Sequence, residues 1–336
     1  PTNHHPHPPC PTPQTDFGAA SSAPPPLPRS PAPRTGAAAP RQRIPCAGRW
    51  QGHTDCVWRL AVSRDGQTVL SGAKDRTARL WNVRTGQTSR LFSGFNADVR
   101  AVAFLPGDHA ALAVGASIRI HSLATGQETL RLSGHTAAVK ALAVAPDGRR
   151  LYSAGEDRSV RAWELPGGRD AQRFLGHSAE VTALAIRDAD GPLISASRDQ
   201  TIRLWDLRSG QPQRTIAGGG TAILAMALAP ADRFLLTAHF DTLLRLWDMD
   251  TGRELRRFLG HKQMATAVAF LPDGDRFVSA SQDGTVRLWD IVSGMDITHL
   301  EGHKGAVQAL AVVDDTRVLA GGADGVISIW DVPTKA

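Results

Sequence analysis

Ser195 and Asp199 stand four residues apart in "SASRDQTIRLWD", and His177 lies upstream of both. These are the residue types a hydrolase uses, with the imidazole taking the hydroxyl proton and the carboxylate orienting the imidazole. His261, Ser279 and Asp283 repeat the spacing 84 residues later in "SASQDGTVRLWD", which differs at three positions. His53, Ser71 and Asp75 form a third set, and His135, Ser153 and Asp157 a fourth. A tryptophan follows each serine at a constant distance: Trp81, Trp163, Trp205 and Trp289. A catalytic set needs one copy, a mouth for substrate and oxyanion donors. Four sets in fixed register belong to a repeat, and their expected role is structural.

The elements that carry these residues follow from the period. A Gly-His pair or its relic recurs at Gly52, Gly94, Gly134, Gly176, Gly218, Gly260 and Gly302, in steps of 42, 40, 42, 42, 42 and 42 residues. The downstream tryptophan recurs at Trp81, Trp163, Trp205, Trp247, Trp289 and Trp330, with His121 in that place in the second unit. Within a unit, alternating runs such as "VKALAVA" predict half-buried strands, and "PDG", "TG" and "SG" mark the turns. That makes four short strands per unit and no helix-period segment. Strands this short cannot bury their apolar faces alone, so the units must stack, and closing seven sheets into a ring removes open edges. "AGRWQGH" (Ala47–His53) reads as a fourth strand without its first three, while the last unit ends after "VISIWDVP" without a fourth. The two halves are expected to complete one another.

Composition places the chain among ordinary globular proteins, with 336 residues, 42% hydrophobic and 21% charged. No apolar run approaches the roughly 18 residues of a membrane helix, and no stretch of this sequence has the charged-then-apolar pattern expected of a secretory signal. The chain begins at a proline and is expected to be a piece of a longer one. Cys10, Cys46 and Cys56 form no metal-ligand spacing, which predicts a reducing, cytoplasmic setting. Half of the net charge of +6 comes from the first 45 residues, so the repeats are nearly balanced. Of the 22 prolines, 14 lie in the first 45 residues. Residues 1–44 are therefore expected to be a disordered Pro/Ala-rich linker or tail, and residues 45–336 the folded part. "HHPHPP" and "PPPLPRSP" in that tail are weak metal and polyproline-ligand signals, read as solvated sequence.

Gly-His, the turn aspartate, Trp-Asp and a period near 42 residues resemble WD40 repeats, over about residues 45–336. The resemblance implies an all-β, seven-bladed propeller whose N-terminal strand closes the last blade. It also implies that each His, Ser, Asp and Trp set is a hydrogen-bonded strut inside a blade. Departures mark weak points: the second unit has Phe95 for the histidine and lacks the turn aspartate, the fifth has Gly219 for the histidine but keeps Thr237, Asp241 and Trp247, and the seventh has Ala320 for the serine. Blades two and five are expected to be the softest.

Nothing resembles a phosphate loop, a metal cluster or a nucleotide fingerprint, so no cofactor is expected. The resemblance implies a non-enzymatic scaffold that meets partner proteins at the channel rim. Carried over unit by unit, the expected partner-binding residues are Trp58, Lys74, Arg100, Lys140, Glu156, Glu180, Arg198, Leu224, Phe240, Met264, Gln282 and Gln308. Cys56, Asp98, Thr182 and Thr266 occupy further rim positions. Leu224, Phe240 and Met264 predict an apolar patch, and Lys74, Arg100, Lys140 and Arg198 a basic arc interrupted by Glu156 and Glu180. High Ala, Arg and Gly content resembles bacterial members of the family, in which the propeller is a docking domain of a larger enzyme such as a Ser/Thr kinase. The expected partners are thus other proteins or an attached domain of the same chain, met by a monomeric propeller. Nucleic-acid binding by the arc, a propeller hydrolase and a membrane role are disfavoured.

Overall fold

The computed structural model describes residues 42–187, 191–231 and 233–334. Seven antiparallel sheets follow one another as blades, built on residues 57–92, 99–133, 139–174, 181–217, 223–258, 265–301 and 307–331. In five of the sheets the strands run in chain order, in the sixth and seventh a strand from before blade one is added at the outer edge, and the first strands of successive blades pack side by side until the seventh meets the first. Among the described residues there is no helix, hence none long and apolar enough to cross a membrane. The core lies between blades: Trp205 and Phe174, from blades four and three, share one buried cluster, as Trp289 and Phe258 do in blades six and five.

Closure follows the sequence pattern. Strand Gly48–Trp50 pairs antiparallel with Ile327–Asp331 and supplies the fourth strand of blade seven. Trp50 stacks on Trp81 with ring centroids 5.8 Å apart, so the seam is a packed one. The closing strand also repairs a gap. The third strand carries an arginine in six blades, from Arg79 to Arg287, but Ser328 in blade seven. Arg49 lies opposite Ser328 and donates to the Gly302 carbonyl, so a guanidinium arrives from the other end of the chain.

One boundary moves. Residues 42–44 were expected to lie in the disordered tail, yet Gln42–Pro45 forms a strand that pairs parallel with Asp296–Glu301, a fifth strand on blade six. Arg43 reaches Glu301 at 2.6 Å. An unpaired sheet edge is a row of open donors and acceptors, and this segment fills one. The rest of the expected tail lies outside the described residues.

Candidate functional site

The serine, histidine and aspartate sets do come together. In blade one His53 Nδ1 lies 2.8 Å from Asp75 Oδ2, His53 Nε2 lies 2.7 Å from Ser71 Oγ, and Trp81 Nε1 donates to Ser71 Oγ at 2.8 Å. His135, His177 and His261 repeat the wiring with Ser153, Ser195 and Ser279, at 2.7 Å each. The proton order is fixed by the ends. The carboxylate only accepts and the indole only donates, so Nδ1–H donates to aspartate and the serine hydroxyl donates to Nε2. This is the wiring of a hydrolytic triad, but all four serines are fully buried and their oxygens already accept from an indole. No substrate carbonyl can approach such a hydroxyl.

Electrostatics favour the neutral imidazole in the struts of blades one, four and six. Burial lowers the pKa of His53, His177 and His261, against the pull of their aspartates. Burial pushes Asp157 and Asp283 up, but hydrogen bonds from His135 and Ser159, and from His261 and Thr285, outweigh it and hold both well below the usual range. The glycine of Gly-His has its own reason. A Cβ on Gly176 comes 2.7 Å from the guanidinium of Arg203, which lies over Trp205.

The irregular blades solve the same problem differently. In blade five His239 replaces the missing histidine from a new position: its Nε2 lies 2.7 Å from Thr237 Oγ1, which accepts from Trp247 Nε1 at 2.8 Å. Asp241 turns to Arg245 instead. The expectation that blade five is soft for want of a strut therefore needs correction. Thr237 and His239 are two apart on one strand, hence on one face, and that signal stood in the sequence. In blade seven backbone carbonyls take over: Trp330 Nε1 donates to Glu301 O at 2.9 Å, and His303 Nε2 lies 3.1 Å from Ala320 O. Blade two abandons the strut. His121 packs edge-on against Phe92 and Phe95, and its Nε2 is buried without a partner.

The accessible chemistry sits at the channel mouth. In every blade the first strand carries a bulge after its first residue. A bulge leaves one residue out of the ladder and re-aims its side chain. The seven residues so released are Trp58, Arg100, Lys140, Thr182, Leu224, Thr266 and Gln308, and all seven line one 340 Å³ cavity. Arg198, Phe240, Met264 and Gln282 complete its wall with Arg59. Phe240 is 58% exposed, and in the same loop Thr242 holds a φ of 72°, a conformation costly for a β-branched residue.

Nine of the twelve expected rim residues line the cavity; Lys74, Glu156 and Glu180 do not. They pair with other charges instead. Arg100 reaches Asp98 and Glu156, Lys140 reaches Glu156 and Glu180, and Arg198 reaches Glu180, while Lys74 pairs with Asp55. The basic arc is thus a ladder with as many acids as bases from Asp98 to Arg198. Arg59 is the lining residue that the sequence reading missed. Its signal was composition at one slot: the third position of the first strand is alanine in the other six blades. Cys56 is buried, and burial pushes its thiol up to about 11. Among the described residues no three histidines, cysteines or carboxylates are placed to hold a metal; "HHPHPP" and "PPPLPRSP" lie outside them. A second cleft, between blades two and three, is lined by Leu105, Pro106, Leu130, Leu165 and Pro166 among others.

Comparison with known proteins finds the WD domain, G-beta repeat (WD40) at residues 44–82, 126–164, 168–206, 210–248, 252–290 and 294–331. The stretch left out, 83–125, holds the first three strands of blade two, where the strut is lost. A transcriptional repressor of Neurospora crassa, rco-1, is 41% identical over 61 residues, 18% of this chain and 10% of its own. Eukaryotic translation initiation factor 3 subunit I is 37% identical in Aspergillus fumigatus and 36% in Schizosaccharomyces pombe, each over 67 residues. These matches cover 20% of this chain and 19% and 20% of those two proteins. The matched segments thus span a fifth or less of the relatives' lengths.

Proposed function

The chain belongs to the WD40 repeat family, and from that premise we propose that it is a protein-interaction scaffold whose working surface is the channel mouth. The observation that carries this reading is the ring of seven bulges, which turns one variable side chain per blade into a common cavity beside an exposed phenylalanine. Exposed aromatics with arginine nearby are the material of binding hot spots. The relatives' names, a repressor and a subunit of a larger factor, are in keeping with work done through other proteins.

The proposed role is non-catalytic. The struts are buried, and the mouth is lined by no histidine, cysteine or carboxylate. Nucleic acid is disfavoured because the cations of the arc are already neutralised by carboxylates. We read the propeller as monomeric, and as a unit able to serve either free partners or an attached domain such as a kinase. A cytoplasmic setting rests on cysteine usage alone. A bacterial origin rests on composition alone, and the fungal relatives lend it no support.

The test is affinity capture with the full chain beside a Leu224→Ala/Phe240→Ala/Arg198→Ala variant whose thermal melt matches the parent. A protein held by the first and lost by the second supports the reading. Identical captures move the working surface to another face.

A further inference from the structure

Arg59 breaks a pattern. The third residue of the innermost strand is Ala101, Ala141, Ala183, Ala225, Ala267 or Ala309 in six blades, all buried, and arginine only in blade one. Arg59 lines the cavity at the mouth, and burial lowers its pKa with no carboxylate to offset it. Among the described residues no hydrogen bond or ion pair reaches its guanidinium. Its side chain is half-buried and no nitrogen of its guanidinium is closed off, so the charge faces the open cavity. Trp58, the next residue in the chain, lines the same cavity with its indole N–H buried and without an acceptor. The mouth therefore holds one idle cation, with the indole of Trp58 beside it in the wall.

The other cations are occupied. Arg100 pairs with Glu156 at 3.2 Å, Lys140 with Glu180 at 2.8 Å, and Arg198 with Glu180. One uncompensated positive charge remains.

Resting on the reading of the mouth as the working surface, we propose that it takes a single carboxylate, the Asp or Glu side chain of a partner peptide, on the Arg59 guanidinium. An apolar residue of the same peptide sits on Leu224, Phe240 and Met264. The charge count selects the anion. A carboxylate brings one negative charge and matches the planar fork of a guanidinium. A phosphate brings nearly two and leaves the second without a free cation. The six alanines add neither bulk nor competing hydrogen bonds at the same level of the wall, so a side chain can reach the one arginine.

The experiment is selection of a random heptapeptide display library on the full chain, on Arg59→Gln and on Leu224→Ala/Phe240→Ala, with melts to show that each is folded. The parent is expected to enrich peptides with an acidic residue near a large apolar one. Arg59→Gln is expected to lose the acidic preference and keep the apolar one. The best peptide, made with Glu, Gln or phosphoserine at the acidic position, should weaken at least tenfold from Glu to Gln on the parent and less than twofold on Arg59→Gln. Apolar enrichment without an acidic preference, an acidic preference that survives Arg59→Gln, or phosphoserine binding tighter than Glu overturns the carboxylate proposal and leaves the mouth as the working surface. Peptides indifferent to the Leu224→Ala/Phe240→Ala change, or no enrichment on any bait, overturn the mouth reading and this inference together.

Discussion

Each buried tryptophan is anchored by one hydroxyl, and the cost of losing it depends on what else the blade offers. Trp205 is fully buried and bonded to Ser195 at 2.8 Å. Trp205→Ala should lower the unfolding free energy by about 3–5 kcal/mol, read from urea midpoints. His121 already has an orphaned nitrogen between two phenylalanines. His121→Leu should therefore change stability by no more than about 1 kcal/mol, because it removes an unsatisfied group. Equal losses at the two positions would contradict the assignment of struts. Protonation belongs to the same scale. Burial first, and the charge of Arg245 second, hold His239 down to about 4, whereas an unfolded histidine titrates near its ordinary 6.5. Below 6.5 the unfolded chain takes up a proton that the folded one refuses, so stability is full above that pH and falls as pH drops toward 4. For this group the loss is on the order of 3 kcal/mol between pH 7 and pH 4. Urea midpoints across that window should fall less steeply in His239→Gln than in the parent.

Turns and strands show where local conformation was traded for a loop shape. The residue after each turn aspartate sits in the left-handed region, as Arg76, Arg158, Gln200 and Thr242, while blades six and seven place Gly284 and Gly325 there. Thr242 is the β-branched one, so Thr242→Gly should raise stability by about 1 kcal/mol, seen as a higher melting temperature. A fall would mean that the threonine side chain supports the Phe240 loop. At the seam, Trp50 stacks on Trp81 and Gly48–Trp50 fills an open edge. Trp50→Ala should cost about 3–5 kcal/mol, as much as a strut tryptophan, although it lies on a three-residue strand near the start of the described chain. A melt unchanged by that substitution would show that the ring closes without this strand.

At the scale of the whole molecule, a rigid ring separates scaffold from specificity. Core positions answer to packing between blades, while the seven bulge residues line the mouth, with Thr182 and Thr266 tied to the next blade's first strand and Arg100 and Lys140 to carboxylates. Loss of partner without loss of stability is therefore the expected signature of changes at Leu224, Phe240 and Arg198. Arg59→Ala makes blade one like its six neighbours and removes an unpaired charge from the wall, so its melting temperature should rise. A lower melting temperature would mean that the guanidinium is already compensated in the folded protein.

The sequence alone determined the number of blades, the closing strand and the four regular struts, because a repeated requirement writes itself at a fixed period and each copy checks the others. It also held the Thr237–His239 pair, two apart on one strand face, which the period concealed because only blade five uses it. Tertiary structure decided what has no period. The parallel strand Gln42–Pro45, the guanidinium that Arg49 lends to blade seven and the pairing of Glu156 and Glu180 with cations of neighbouring blades all join residues distant in the chain. The bulges did the same for the mouth: they shift each first strand by one residue, and only that shift converts seven unremarkable positions into one cavity, in whose wall Arg59 is the cation left without a carboxylate.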